Sequence, residues 1–173
     1  MGSFTQQEIA DGALDWAILR DGGISLYRSH EFLEIDTRAL SNKGYQVVTI
    51  DCVAWSSIGA MHESLSKSLA FPSSYGRNLD ALNDCLCVDL EIPDLGGLLL
   101  RLVNFHPMQA NHELSKAAGY VLHIAARAIR EHMLSGKRFI VFLQTDDSNA
   151  SYDTLGCISA TWNRHEWLRS NRT

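Results

Sequence analysis

The sequence predicts a single α/β domain in which a parallel central sheet is flanked by helices. Short apolar runs rich in β-branched residues alternate with longer stretches whose apolar residues recur at helical spacing. The chain has 173 residues, of which 46% are hydrophobic and 20% charged, which is the composition of a globular domain with one sizeable core. The sequence shows no internal repeat, low-complexity stretch or long linker, so residues 1–173 are expected to form one domain.

The N-terminal part of the chain is expected to contain a hairpin and a helix after a loose leader. Residues 16–20 and 24–28 are short apolar runs, and Asp21-Gly22-Gly23 between them is typical of a hairpin turn. Ser29 can cap a helix over residues 30–42, where apolar residues recur at helical spacing. The hairpin would extend an edge of the central sheet.

Strands and helices alternate through the rest of the chain. A helix opened by Ser56 or Ser57 is closed by Pro72. A long helix is expected from about Asn111 to Ser135, with Gly119 as a point where it can be interrupted. The expected strands comprise three parallel neighbours and one further strand at a sheet edge: residues 46–50, 97–103 and 138–144, and then 157–162.

A short helix expected from Asn78 to about Cys87 presents two carboxylates to solvent. At 100° per residue, Asp80 and Asp84 point about 150° away from the apolar stripe, one turn apart. A like-charge pair at this spacing costs about 0.2–0.5 kcal/mol, so binding of a cationic partner is the favoured explanation. Asp80 can also simply complement the helix dipole. The stripe itself consists of Leu79, Leu82 and Leu86.

The whole net charge of −5 resides between residues 78 and 94. The chain has 15 Lys and Arg against 20 Asp and Glu. A concentrated acidic field repels nucleic acid and attracts a basic partner or a metal, although a solvated helix face plus loop is an alternative. The window contains no Lys or Arg and five acids, which are Asp80, Asp84, Asp89, Glu91 and Asp94.

The cysteines and histidines predict neither a cofactor site nor a metal site. Cys85 and Cys87 are separated by one residue, unlike the Cys-x-x-Cys of zinc and redox sites, and no two histidines have the His-Glu-x-x-His spacing. No apolar run reaches the ~18–20 residues of a membrane span, and the N-terminus lacks the layout of a secretion signal. We therefore expect a cytoplasmic protein with reduced thiols and no membrane contact.

Residues 71–86 resemble the signature of the barstar family of ribonuclease inhibitors. The shared elements are a proline before a Tyr-Gly turn, then Asn-Leu-Asp-Ala-Leu, one variable residue, and Asp-Cys-Leu. Glu91 and Pro93 follow at the family's spacing, and Ile-Arg-Glu at 129–131 lies near the end of an expected helix. The motif is specific because it couples a turn, a helix cap and two charges at fixed spacing.

The resemblance implies a small α/β domain that plugs the active site of a secreted microbial ribonuclease and itself catalyses nothing. It covers roughly residues 46–145, with an N-terminal extension over 1–45 and a C-terminal extension over 146–173. A ribonuclease site is basic because it binds phosphates, so its inhibitor presents carboxylates in their place. The implied partner is therefore a basic secreted ribonuclease and not a nucleic acid.

The resemblance also implies roles for individual residues. Asp84 would be the central phosphate mimic, and Asp80 would contact the enzyme one turn earlier. Glu131 and Glu91 would pair with basic residues toward the rim. The other implied contact positions lie in the loop and on the motif helix: Ser74, Tyr75, Gly76, Asn78 and Asn83.

Three positions depart from the family pattern. Ser74 stands where the family typically carries an aromatic contact, and Asn83 and Asp89 stand where tryptophans occur. Aromatic anchors usually supply much of an interface's binding energy. Their absence implies a different ribonuclease partner or a contact surface enlarged by the extra termini. Lys137 occupies the position that can carry a second cysteine, so no disulfide is expected.

Two other functions stay open from the sequence. The first is an interaction or immunity module with the same fold whose target is not a ribonuclease, such as an immunity protein against another toxin or an orphan regulatory protein. The second is a metal-dependent hydrolase that uses Asp80, Asp84 and Asp89. The hydrolase is disfavoured because these residues lack a partner histidine, a glycine-rich phosphate loop and an activated nucleophile.

Overall fold

A parallel five-stranded sheet forms the centre of the computed structural model, which describes residues 3–106, 112–152, 155 and 159–172. Its strands are β1 (Ile24–Tyr27), β2 (Tyr45–Asp51), β3 (Gly97–Val103), β4 (Phe139–Gln144) and β5 (Thr161–Trp162). Their order is β2-β3-β4-β1-β5, and every neighbouring pair is parallel. The predicted α/β class and the parallel arrangement of β2, β3 and β4 are confirmed.

Helices connect and cover these strands. The bounds are α1 (Gln6–Ala10), α2 (Leu14–Arg20), α3 (His30–Asn42), α4 (Ile58–Ser68), α5 (Leu79–Asp84) and α6 (His112–Leu134). The predicted caps are confirmed, because Ser29 Oγ accepts from the Phe32 N–H and Ser57 Oγ accepts from the Ala60 N–H. In the part of the chain that is described, no helix is both long and apolar enough to cross a bilayer.

The predicted N-terminal hairpin is wrong, because its first arm is the helix α2. Gly22 and Gly23 have φ of 110° and 81°, a conformation that serves helix ends as well as hairpin turns. The Gly23 N–H donates to the carbonyl of Ile18 at 2.8 Å and so closes the helix. The strand that follows pairs with β4 and β5 and lies inside the sheet.

Two further elements differ from expectation in extent. The long helix runs without interruption through Gly119, where an added Cβ would meet no atom within 4 Å, and residue 111 lies outside the described residues. The C-terminal strand does add to the sheet edge, but it comprises only Thr161–Trp162, and residues 156–158 also lie outside the described part. The pairing of β5 with β1 ends at Asn163, whose side-chain amide donates a hydrogen bond to the Leu26 carbonyl at 2.8 Å.

Both terminal segments are joined to the sheet by buried polar contacts. Asp15 of α2 has no exposed surface, and its carboxylate accepts from Arg138 at 2.9 Å, from the Tyr45 hydroxyl at 3.2 Å and from Lys43. Glu166, which is 1% exposed, accepts from the backbone N–H groups of Arg28 and Ser29 at the start of α3. Each pairing satisfies a charge that would otherwise be costly to bury.

Candidate partner-binding surface

The loop before α5 is fixed from inside by a tyrosine. The Tyr75 ring packs against Phe71 with centroids 5.0 Å apart, and its hydroxyl lies 2.5 Å from Nδ1 of the buried His62 on α4. Burial raises the pKa of Tyr75 to about 12, so the hydroxyl keeps its proton and stays a neutral hydrogen-bond partner of the histidine. The implied contact residue Tyr75 therefore has its hydroxyl engaged within the protein.

Asn78 begins the motif helix in the predicted way. Its Oδ1 accepts from the Ala81 N–H at 2.8 Å, and its Nδ2 donates to the Gly76 carbonyl at 3.5 Å. A Cβ at Gly76 would lie 3.2 Å from that Nδ2, so the tight turn favours glycine. Gly76 and Asn78 therefore shape the loop and the start of the helix. The neighbouring Arg77 has a left-handed backbone conformation with φ of 49°. It carries the one positive charge of the loop over residues 72–77.

Asp80 and Asp84 are both exposed on α5, while Leu82 on the opposite face is fully buried. The helical spacing predicted this outward orientation correctly. Within the described residues neither carboxylate forms an ion pair, although Asp84 accepts a hydrogen bond from Asn83 Nδ2 at 3.3 Å. Both charges are thus available to an external cation.

The predicted motif helix does not continue regularly to Cys87. After Asp84 the backbone widens into a π-helix over Cys85–Asp89, a form that is often found at functional sites. Burial raises the pKa of the Cys85 thiol, and the nearby Asp89 raises it further. The thiol is therefore protonated and unsuited to act as a nucleophile.

Glu131 of α6 and Asp84 of α5 both affect the same thiol, that of Cys87. Burial raises the pKa of the half-buried Cys87, the positive charge of Arg127 opposes the rise, and the charges of Glu131 and Asp84 add to it. Both carboxylates therefore lie close enough to influence one thiol. Glu131 also faces Arg127 at 4.0 Å, an exposed i,i+4 pair that contributes little to stability.

Glu91 and Ser74 belong to a separate part of the surface. With Asp89 they line an open cavity of about 660 Å³ that lies between the loop after α4 and the end of the π-helix. Gln46 and Val48 of the edge strand β2 also line it. The implied contact residues therefore form two adjacent regions, one on α5 and α6 and the other around this cavity.

A metal centre gains no support from this arrangement. Among the residues that are described, no three His, Cys, Asp or Glu side chains are grouped so as to hold an ion, and Asp80, Asp84 and Asp89 are no exception. Exposed carboxylates without converging partners can attract a cationic surface but do not form a coordination shell.

A model of one protein family matches residues 45–144, which is well over half of the chain, and its description is Barstar (barnase inhibitor). The chain belongs to the barstar family. Over 84 residues it is 38% identical to a Bacillus subtilis (strain 168) protein named "Putative ribonuclease inhibitor YrdF", an alignment that spans 49% of this chain and 86% of that protein. Barstar-family inhibitors are not enzymes, so the hydrolase alternative is set aside.

The matched barstar region begins at β2 and ends at β4. Its extent agrees with the resemblance over residues 46–145. The strands β1 and β5 come from the two terminal extensions, and they add to the sheet on the side of β4 that faces away from β3.

Sequence reasoning missed two histidines that organise this barstar surface. His62 has its Nδ1 2.5 Å from the Tyr75 hydroxyl, and His132 has its Nε2 2.7 Å from the Leu86 carbonyl. A signal for His132 was present, because it continues the apolar stripe of α6 at i+3 and i+4 from Ile129 and Ala128. A histidine within such a stripe is buried and needs a polar partner.

Proposed function

We propose that this barstar-family chain inhibits a basic microbial ribonuclease by covering its active site with the surface of α5, the preceding loop and the end of α6. One observation carries the proposal. Asp80 and Asp84 are exposed one turn apart on a capped helix, and neither is neutralised within the described residues. Carboxylates held in this way can replace two phosphates in a site built for RNA.

The distribution of charge supports the same function. All five units of net negative charge reside in residues 78–94, and of these only Asp94 forms an internal ion pair, with Lys137 at 2.6 Å, among the residues that the structure describes. A local acidic field of this kind accelerates encounter with a cationic enzyme. We propose that the chain acts in the cytoplasm and keeps the enzyme silent until export.

The proposed roles follow the geometry. Asp84 is proposed as the central contact, because it follows Asp80 by one turn on α5, a helix that packs against the Glu131-bearing α6. Glu91 and Ser74 contact the enzyme at the rim across the open cavity. Polar contacts from the loop and helix are proposed for Gly76, Asn78, Tyr75 and Asn83.

Inhibition of a panel of small secreted bacterial ribonucleases tests the proposal. Asp84→Ala is expected to weaken inhibition more than Asp80→Ala or Glu131→Ala, because its removal leaves several desolvated cations of the enzyme unpaired. A loss of about 2 kcal/mol or more is expected for Asp84. Asp94→Ala is the matched control, since it removes the same charge from a carboxylate that is already paired with Lys137.

The outcomes separate the alternatives. Inhibition that survives Asp84→Ala unchanged would show that these residue roles are wrong although the family assignment stands. If no ribonuclease in the panel is inhibited, the proposed function is contradicted in favour of an interaction or immunity module whose target is not a ribonuclease.

A further inference from the structure

A buried hydrogen bond joins the segment that carries Asp84 to the helix that carries Glu131. His132 on α6 is 7% exposed, and its Nε2 lies 2.7 Å from the carbonyl oxygen of Leu86 in the π-helix. Leu86 follows Asp84 by two residues, and Glu131 directly precedes His132. The bond therefore links backbone positions that lie two residues from Asp84 and one residue from Glu131.

The chemistry of this contact is unambiguous. A carbonyl oxygen only accepts, so Nε2 of His132 carries the hydrogen and donates it. Leu86 has no exposed surface, and carbonyls near the end of a helical segment lack the partner that a longer helix would supply. Loss of the histidine would remove a hydrogen-bond donor from this buried acceptor, which is costly.

The imidazole is also held in place from the sheet. Its ring meets Phe139 of β4 edge-on, with centroids 6.2 Å apart and planes at 89°, and Phe139 is fully buried. The position of the π-helix is thus determined relative to both α6 and the central sheet.

We propose that His132 is a positioning residue that sets the spacing between the carboxylates of Asp84 and Glu131. The proposal rests on the proposed function, in which both groups meet cations of one ribonuclease at the same time. Binding groups held rigidly at the required spacing need no ordering when the complex forms, so loosening them lowers affinity. The helix α5 and the π-helix both pack against α6, so the two carboxylates lie on neighbouring elements.

The test compares three His132 variants for inhibition of a ribonuclease that the wild-type chain inhibits. His132→Phe keeps the ring volume but loses the donor, and it is expected to weaken inhibition about tenfold. His132→Gln can place an amide N–H near the Nε2 position and is expected to stay within about threefold of wild type. If the Phe variant does not fold, His132→Asn replaces it, because its shorter amide cannot reach Leu86.

Two readouts separate positioning from a general loss of stability. In the Phe background, Glu131→Ala is expected to weaken inhibition less than it does in the wild type. The reason is that the Glu131 carboxylate is already displaced from its position relative to Asp84. Tyr27→Phe is the matched control, since it removes another buried hydrogen bond, to Asp36 at 3.0 Å, far along the chain from this surface. It is expected to lower the melting temperature and leave inhibition unchanged.

Equal inhibition by wild type and the Phe variant, or equal weakening by Phe and Gln, would overturn the positioning role while the proposed function stands. Nitrogen-15 NMR of the free chain provides an independent check, with the Nε2–H tautomer expected for His132. The Nδ1–H tautomer would overturn the inference. A wild-type chain that inhibits no ribonuclease would instead refute the proposed function, and the positioning role with it.

Discussion

At the scale of single residues, the acidic surface depends on contacts made behind it. Asn78 caps α5 and so fixes the start of the helix that bears Asp80 and Asp84. Tyr75 anchors the loop to His62. In the proposed function the exposed carboxylates bind the cations of the ribonuclease. The contacts of Asn78 and Tyr75 fix the helix and loop that position these carboxylates.

The burial of His62 is expected to make the free energy of unfolding depend on pH. Burial lowers the pKa of His62, and the positive charge of Arg77 lowers it further. The unfolded chain therefore takes up a proton at His62 near its ordinary pKa of 6.5, before the folded chain does. The contribution of His62 to the free energy of unfolding is full above that pH and falls as pH drops below it.

Urea unfolding at about pH 7.5 and about pH 5.5 measures this effect. The wild type is expected to lose more stability between the two pH values than His62→Gln, whose amide can still hydrogen-bond the Tyr75 hydroxyl but does not titrate. The same loss in both proteins would show that His62 is not the source of the pH dependence.

Sequence reasoning at this scale succeeded where the signal is local. The cap at Asn78 and the outward orientation of Asp80 and Asp84 follow from neighbours within one or two turns. The partners of His62 and His132 lie 13 and 46 residues away along the chain. Such contacts depend on the tertiary structure, and neither one could be read from helical spacing.

At the scale of elements, the terminal extensions are part of the sheet. The strand β1 lies between β4 and β5, and it pairs with Val141 to Gln144. Asp15 of α2 is bound by Arg138 and Tyr45, which stand at the starts of β4 and β2. We propose that the extensions and the barstar region form one domain.

Deletion of residues 1–44 tests whether the N-terminal extension and the barstar region form one domain. Loss of β1 would expose the backbone edge of β4 and the now buried side chains of Val141 and Phe142, so a lower melting temperature or lower solubility is expected. A deletion that ends at residue 11 is the comparison that isolates β1, because it removes α1 and the Ser3 and Glu8 contacts with Arg138 but leaves β1 in place. If the longer deletion leaves the melting temperature unchanged, the N-terminal segment is an independent appendage.

The sequence predicted most elements but not the identity of α2. Leu14, Ala17 and Ile18 have the i, i+3, i+4 spacing of a helix, yet the run is short enough to resemble a strand. Gly22 and Gly23 then fit both a hairpin turn and a helix end. The buried Asp15 distinguishes the two structures, because it must reach partners at positions 43, 45 and 138.

At the scale of the whole molecule, the acidic surface and the extensions occupy different places. The five acids of residues 78–94 lie in the matched barstar region between β2 and β3, whereas β1 and β5 extend the sheet beyond β4. The fold class and the motif were accessible from sequence because both follow from local patterns. The division of the implied contact residues into two regions was not, since it depends on where the π-helix places Asp89 and Glu91.

Competition with a mononucleotide for a ribonuclease that the chain inhibits tests the central claim most directly. Because Asp80 and Asp84 are proposed to replace phosphates, the apparent inhibition constant is expected to rise in proportion to the nucleotide concentration once the site is occupied. It is also expected to rise with salt, because screening weakens attraction to the acidic surface. An apparent constant that stays the same as nucleotide saturates the enzyme would show that the chain binds elsewhere, and would contradict active-site blockade.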